Sequence, residues 1–281
     1  KPRFNYTNEN ALKLASFHTG KKRVVAFKNA FHGRTSAAVA ATDNQNINAP
    51  LNQQQEVSFI PFNDAHALEK ELQKGDVCAV IFEPIQGVGG LDMPQDDFVL
   101  KMEQLCQQYE TALIADEVQS GFSRSGTFFA FQNNNIKPHV ITMAKGMGNG
   151  FPIGGILVHP DVKPIYGMLG TTFGGNHLAC TASLAVLEIL KKDKLQQHAK
   201  AMETYFRSKA EKINGAKIKG RGLMLGLEFD FEVGPLRKRL IYEKKIFTGG
   251  SSNKNVLRIL PPLTVQKVHF DQLFDALEDL L

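Results

Sequence analysis

Asp76–Phe82 reads DVCAVIF, Thr111–Ala115 reads TALIA and Val140–Met143 reads VITM. Each is a short, almost unbroken apolar run, the pattern of a strand covered on both faces in a parallel sheet. Between the first two lies FVLKMEQLCQQY (Phe98–Tyr109), which puts Phe98, Met102, Leu105 and Tyr109 on one stripe at helical spacing. Strand, helix and strand in that order predict an α/β chain. Further out, Arg23–Phe27 (RVVAF) and Gly154–Val158 (GGILV) read as two more strands. Ala65–Leu72 reads as a helix with Leu68 and Leu72 one turn apart, and Asn63 or Asp64 is placed to cap it. The polar stretch Thr42–Gln55 reads as an exposed loop.

Downstream the pattern changes. Ala179–Lys192 is a strong helix, with Leu184, Leu187 and Leu190 among its apolar positions and lysines in its last turn. A helix over Gln196–Ile213, strands at Gly222–Phe229 and Val256–Leu260, and a final helix at Asp271–Leu281 follow. The expected organisation is a large domain over 1–187 with a mainly parallel sheet, and a small α+β domain over 188–281. The length of 281 residues suits two such units. With 43% apolar and 22% charged residues, the chain is neither disordered, collagenous nor a coiled coil. No apolar run approaches the ~20 residues of a membrane span, and no hydrophobic targeting segment opens the sequence.

Cys78, Cys106 and Cys180 are widely spaced, with no CxxC; two of the three sit in apolar runs, which suits buried thiols, and a reducing, cytoplasmic compartment is expected. The net charge of +5 includes a basic stretch, Arg237–Lys245, interrupted by Glu243. That stretch reads as a solvated face, not a nucleic-acid footprint. The eight histidines show no paired metal-ligand spacing, so no metal is expected.

Three charged residues follow the buried strands directly: Glu83 after AVIF, Asp116 after LIA and Lys145 after VITMA. Ligand sites of open parallel sheets lie at the carboxyl ends of their strands, so these three converge on one crevice. A lysine desolvated there loses its proton near neutral pH and becomes a nucleophile toward a carbonyl. Pyridoxal phosphate offers the aldehyde for that amine and a ring nitrogen for a carboxylate to keep protonated. Gly170–Asn176 (GTTFGGN), just ahead of a helix, offers hydroxyls and glycines for the phosphate.

Longer stretches then carry a resemblance. IADEVQSGFSRSGTFFAFQ, ITMAKGMGNGFPIGG and GTTFGGNHLAC closely resemble the class III pyridoxal-phosphate-dependent aminotransferases, as do FKNAFHGRT, FEPIQGVGG and NVLRILPPL. Within that class the chain is most similar to the acetylornithine/succinylornithine branch, from about Asn8 to its C-terminus. The resemblance implies the fold type I architecture of pyridoxal-phosphate transferases, with a seven-stranded type of sheet in the large domain.

Carried over position by position, it implies that Lys145 holds the cofactor covalently and shuttles the substrate proton. Asp116 would keep the ring nitrogen protonated, Val118 and Phe31 would pack on the two ring faces, and Gln119 would reach the ring oxygen. Thr172 would bind the cofactor phosphate from a neighbouring subunit, so a homodimer is implied. Arg258 would clamp one substrate carboxylate and Arg34 a second, while Glu83 would support the site without reacting. Taken singly, Val118 and Phe31 read as plain core, and Arg34 or Arg258 as a surface ion pair.

The sequence departs from the family in two places. Ahead of Asn8 the family has a glycine turn that cradles the phosphate, whereas this chain has KPRFNYT. The chain is also short for the family, so an N-terminally incomplete large domain is expected. Val88 of QGVGG stands where relatives commonly carry a glutamate able to pair with the arginine matching Arg258. The resemblance implies transamination of N2-acetylornithine or N2-succinylornithine with 2-oxoglutarate, in arginine biosynthesis. Free ornithine or 4-aminobutyrate as substrate is the alternative, and a catalytically impaired binding paralogue a further one.

Overall fold

The computed structural model describes residues 6–163 and 165–281. A central sheet runs through the first part of the chain in the order β2-β1-β3-β4-β5-β6: Val57–Ile60, Arg23–Phe27, Val77–Phe82, Ala112–Asp116, Val140–Met143 and Gly155–Val158. The first five strands are parallel, and β6 pairs antiparallel with β5. Among the described residues the sheet therefore has six strands, not the seven expected. Its β6 edge leaves Leu157 and Val158 exposed.

Side chains of β3 explain why its sequence is apolar throughout. Val77, Val80 and Phe82 pack into one core, and Cys78, Ala79 and Ile81 into the other. The first core is closed by α3 (Ala65–Leu72) and α4 (Asp96–Gln108), through Leu68, Leu72, Met102 and Leu105. The opposite core is closed by α1 (Tyr6–Thr19), through Ala11, Leu12, Leu14 and Ala15. Asp64 caps α3 by accepting the Ala67 N–H at 2.8 Å. A short helix α2 (Ser36–Ala40) precedes two single turns within 45–52, in the stretch expected to be a bare loop.

A second core follows. Helix α5 (His177–Lys192) leads into α6 (Leu195–Ala210), and a three-stranded antiparallel sheet is formed by β7 (Lys217–Arg221), β8 (Met224–Glu228) and β9 (Val256–Ile259). Helices α7 (Gly234–Tyr242) and α8 (Lys267–Leu280) complete it. Leu190 and Leu195 still pack in the first core, whereas Ala199, Met202 and Phe206 belong to the second. The boundary expected near residue 188 thus falls inside α5. Of the cysteines, Cys78 and Cys106 are buried, but Cys180 is exposed because it lies on the open side of α5.

The two cores are joined close to the strand ends. Ile85 and Leu91, in the turn after β3, pack with Met224 and Val256 of the second sheet. The half-buried Arg124 donates to the carbonyls of Leu223 and Pro261. Phe206 is fully buried and meets Phe270 and Phe274 at ring-centroid distances of 5.3 and 5.2 Å. Phe206→Ala is expected to cost about 3–5 kcal/mol of stability, read as a lowered denaturation midpoint.

Candidate active site

The sheet order reverses between β1 and β3, which opens a crevice at the carboxyl ends of their strands. Glu83 follows β3, and its Oε1 accepts the Phe31 N–H from the loop after β1 at 2.9 Å. Its Oε2 accepts the Gly87 N–H at 3.0 Å, so one buried carboxylate pins both walls of the crevice. Burial pushes its pKa up to about 7, with nearby His32 opposing and Asp116 adding to the rise.

Asp116, the last residue of β4, is 4% exposed and held from four directions. Its Oδ2 accepts from Asn8 Nδ2 at 2.6 Å and faces His32 Nδ1 at 2.7 Å. Its Oδ1 accepts the Val118 N–H at 3.1 Å and the Thr142 hydroxyl at 3.4 Å. The same Asn8 amide donates to the His32 carbonyl at 2.7 Å, which locks α1 to the loop after β1.

Lys145 stands two residues beyond β5 with φ +40°, a left-handed conformation uncommon for a side chain of this size. It is open along one side, yet the protein crowding its ammonium lowers its pKa below the ordinary lysine value. Asp116 and Glu83 oppose that fall, and Arg258 adds to it. These mutual effects show that Glu83, Asp116, Lys145 and Arg258 share one electrostatic environment. Ser183 of α5 donates to the Met147 carbonyl at 3.0 Å and fixes the turn that carries Lys145.

Gly87 ties in the remaining wall. A Cβ built on it would lie 1.7 Å from Gln119 Oε1, so only glycine lets that amide sit where it does. The Gly87 carbonyl accepts from Arg258 Nη1, reaching across from β9. Burial lowers the Arg258 pKa, helped by nearby Arg237. Phe31, Val118, Gln119 and Arg258 are therefore drawn to the same crevice as Glu83, Asp116 and Lys145. Thr172 and Arg34 are not: both are exposed, and among the described residues neither is hydrogen-bonded to that group.

Asn8, His32, Thr142 and Gly87 are contributors that reading the sequence missed. Asn8 and His32 lie 108 and 84 residues from their shared partner Asp116, so no local spacing announces them. A fifth is Glu117, fully buried, whose Oε1 accepts the Phe131 N–H at 2.8 Å and whose Oε2 accepts the Ser120 hydroxyl at 2.6 Å. It ties the turn after Asp116 to the Phe131 segment.

The family model described as aminotransferase class-III matches residues 5–281. The chain belongs to the class-III aminotransferases. It is 38% identical to the acetylornithine aminotransferase of Aquifex aeolicus over 97% of this chain and 73% of that one. It is 35% identical to the acetylornithine aminotransferase of Bacillus subtilis, over 97% and 71%. Its fold superposes on the ornithine aminotransferase of Toxoplasma gondii with a TM-score of 0.89 at 26% identity, over 99% of this chain and 71% of that one.

For this aminotransferase the buried carboxyls set a pH dependence. Burial pushes Glu117 up to about 7 from 4.5. The folded state then binds a proton that the unfolded state has released, so stability falls as pH rises from 4.5 to 7 and levels off above that. Each pKa unit is worth about 1.4 kcal/mol, so the fall is on the order of 3 kcal/mol for this carboxyl. In Glu117→Gln the amide oxygen still accepts from Phe131 and its NH2 donates to Ser120. Urea midpoints measured across that range are expected to decline less in this variant than in the unaltered protein.

Proposed function

We propose that this class-III aminotransferase transfers the δ-amino group of N2-acetylornithine to 2-oxoglutarate, giving N-acetylglutamate semialdehyde and glutamate, with pyridoxal phosphate as cofactor. One observation carries the reading: Lys145, just beyond β5, stands at the same carboxyl edge of the sheet as two buried strand-end carboxylates, Glu83 and Asp116. The donor set suits that cofactor at its ring end. Asp116 is a buried acceptor fixed by Asn8, His32 and Thr142, and Lys145 is an amine biased toward its neutral form. At the phosphate end the support is Thr172, on an exposed loop; residues 1–5 of the KPRFNYT stretch lie outside the described residues.

When bound, the cofactor supplies an aldehyde for the amine and a ring that takes up the electron pair left by a lost proton. The chain supplies the rest. Lys145 would hold the cofactor through its amine and, with its lowered pKa, would serve as the acid–base group that moves the substrate proton. Asp116 would hold a proton on the ring nitrogen, Val118 and Phe31 would pack against the ring, and Gln119 would serve its oxygen. Glu83 holds the Phe31 and Gly87 backbones in place. Arg258 takes a substrate carboxylate, which guanidinium geometry suits, and Arg34 a second.

Val88 gives the acyl substrate its support. Where relatives commonly carry a glutamate, Arg258 here bonds only a neutral carbonyl, that of Gly87. Its charge stays available for a carboxylate in both half-reactions, as a substrate with a blocked α-amine requires. Succinylornithine satisfies the same demand. A homodimer is part of the reading: α5 is apolar but turns Leu178, Leu184 and Ile189 outward, and Phe173 beside Thr172 is exposed as well. A second copy covering that face would bring its Thr172 toward this crevice. No helix among the described residues is long and apolar enough to cross a membrane. A reducing, cytoplasmic setting is proposed from the free Cys78 and Cys106 thiols.

Lys145→Ala is expected to keep its far-UV circular dichroism and lose turnover by ~10³-fold or more. In the unaltered protein, kcat/KM is expected to be higher for N-acetylornithine or N-succinylornithine than for ornithine or 4-aminobutyrate. A preference for either unacylated amine would overturn the substrate.

A further inference from the structure

The basic stretch opening at Arg237 reads in the sequence as a solvated face, but Arg237 does not behave as part of one. It sits half-buried in α7, and its Nη2 donates to the Thr248 carbonyl at 3.1 Å. Thr248 begins the strip Thr248-Gly249-Gly250, which runs beside β9. On the other side of that strip Arg258 exchanges backbone hydrogen bonds with Gly249, at 2.8 and 3.0 Å. The two glycines make room for two guanidinium groups. A Cβ on Gly250 would lie 2.8 Å from Arg237 Nη1, and one on Gly249 would lie 3.4 Å from Arg258 Nε.

Each arginine spends a single hydrogen bond on a neutral backbone carbonyl. Arg258 uses Nη1 on Gly87, which keeps its Nε–Nη2 fork uncommitted, and Arg237 uses Nη2, which keeps Nε and Nη1. Among the described residues, Arg237 Nε, Arg258 Nε and Thr248 Oγ1 are buried without a hydrogen-bond partner. Three orphaned polar atoms around one glycine strip are unusual, since such groups in folded proteins are almost always paired. The charges are unbalanced too. Arg237 acts on Arg258 as a like charge, and among the described residues the carboxylate that acts on Arg258 is Glu83, already committed to two backbone N–H groups.

We propose that Arg237 and Arg258, with the Thr248 hydroxyl of the strip beside them, form a paired subsite for a substrate carboxylate, in which Arg237 is a specificity-determining residue. The pair binds an acid more strongly than one guanidinium does, because the anion satisfies both donor sets and relieves the repulsion between them. It selects substrates that bring a carboxylate to this end of the crevice. The inference rests on the reading of Arg258 as a carboxylate clamp.

The test is glutarate, a five-carbon dicarboxylate with no amino or keto group, titrated into the cofactor-loaded full chain by calorimetry. Arg237→Gln and Arg258→Gln are each expected to weaken binding about tenfold or more, the scale of one charge-assisted hydrogen bond. In Arg237→Gln the KM for 2-oxoglutarate is expected to rise more than kcat falls. Arg237→Lys, which keeps the charge but not the fork, is expected to recover binding to within about fivefold of the unaltered protein. An equal loss in the Lys and Gln variants would assign Arg237 to packing and overturn the proposal. Unchanged binding in Arg237→Gln with loss in Arg258→Gln would overturn the pair and leave the Arg258 clamp standing. Unchanged binding in both would overturn the clamp as well.

Discussion

The site depends on one buried carboxylate being held still. Asp116 has lost almost all its water, and an ionised carboxyl in that position is tolerable only with its lone pairs satisfied. Four elements meet that demand: Asn8 from α1, His32 from the loop after β1, the Val118 N–H from its own turn and Thr142 from β5. The same bonds that stabilise the charge fix the positions of the elements that line the crevice. Removing one donor leaves an unpaired buried acceptor, which costs more than the bond itself gains. Asp116 therefore acts as the keystone between the helix on one face of the sheet and the strand that carries Lys145.

Glu83 and Gly87 extend this order to the second core. Glu83 receives both the Phe31 and the Gly87 backbone, and the Gly87 carbonyl in turn receives Arg258 from β9. The apolar contact of Ile85 and Leu91 with Met224 and Val256 backs that chain of bonds. The proposed substrate clamp on the small sheet and the proposed proton-transfer lysine beyond the large one would thus be registered through a single turn, and its glycine cannot be replaced without displacing Gln119.

The parallel core was legible because strands buried on both faces must be apolar at every position, as VCAVIF is. Strand-end charges were legible for the complementary reason: Glu83, Asp116 and Lys145 interrupt such runs. Helix α1 was not, because its inward face is built from Thr7, Asn8 and alanines as much as from leucines, which blurs the helical stripe. Nor could the direction of β6 be read, since an apolar run looks the same parallel or antiparallel. The partners of Asp116 escaped because they are single polar residues brought in from far along the chain. Arg237 was misread because local charge density says nothing about the glycine strip and the second arginine it faces. Thr172 and Arg34 are exposed, and the roles proposed for them rest on a second copy of the chain and on a bound substrate, neither of which local sequence or a single chain displays.

The most direct test of Asp116 as the organising charge is the 15N chemical shift of ring-labelled pyridoxal phosphate bound to the protein, followed as pH is raised. A ring nitrogen that stays protonated well above the pH at which the free cofactor loses that proton, and that deprotonates early in Asp116→Asn, is the predicted result. A nitrogen already unprotonated at neutral pH in the unaltered protein would contradict the account.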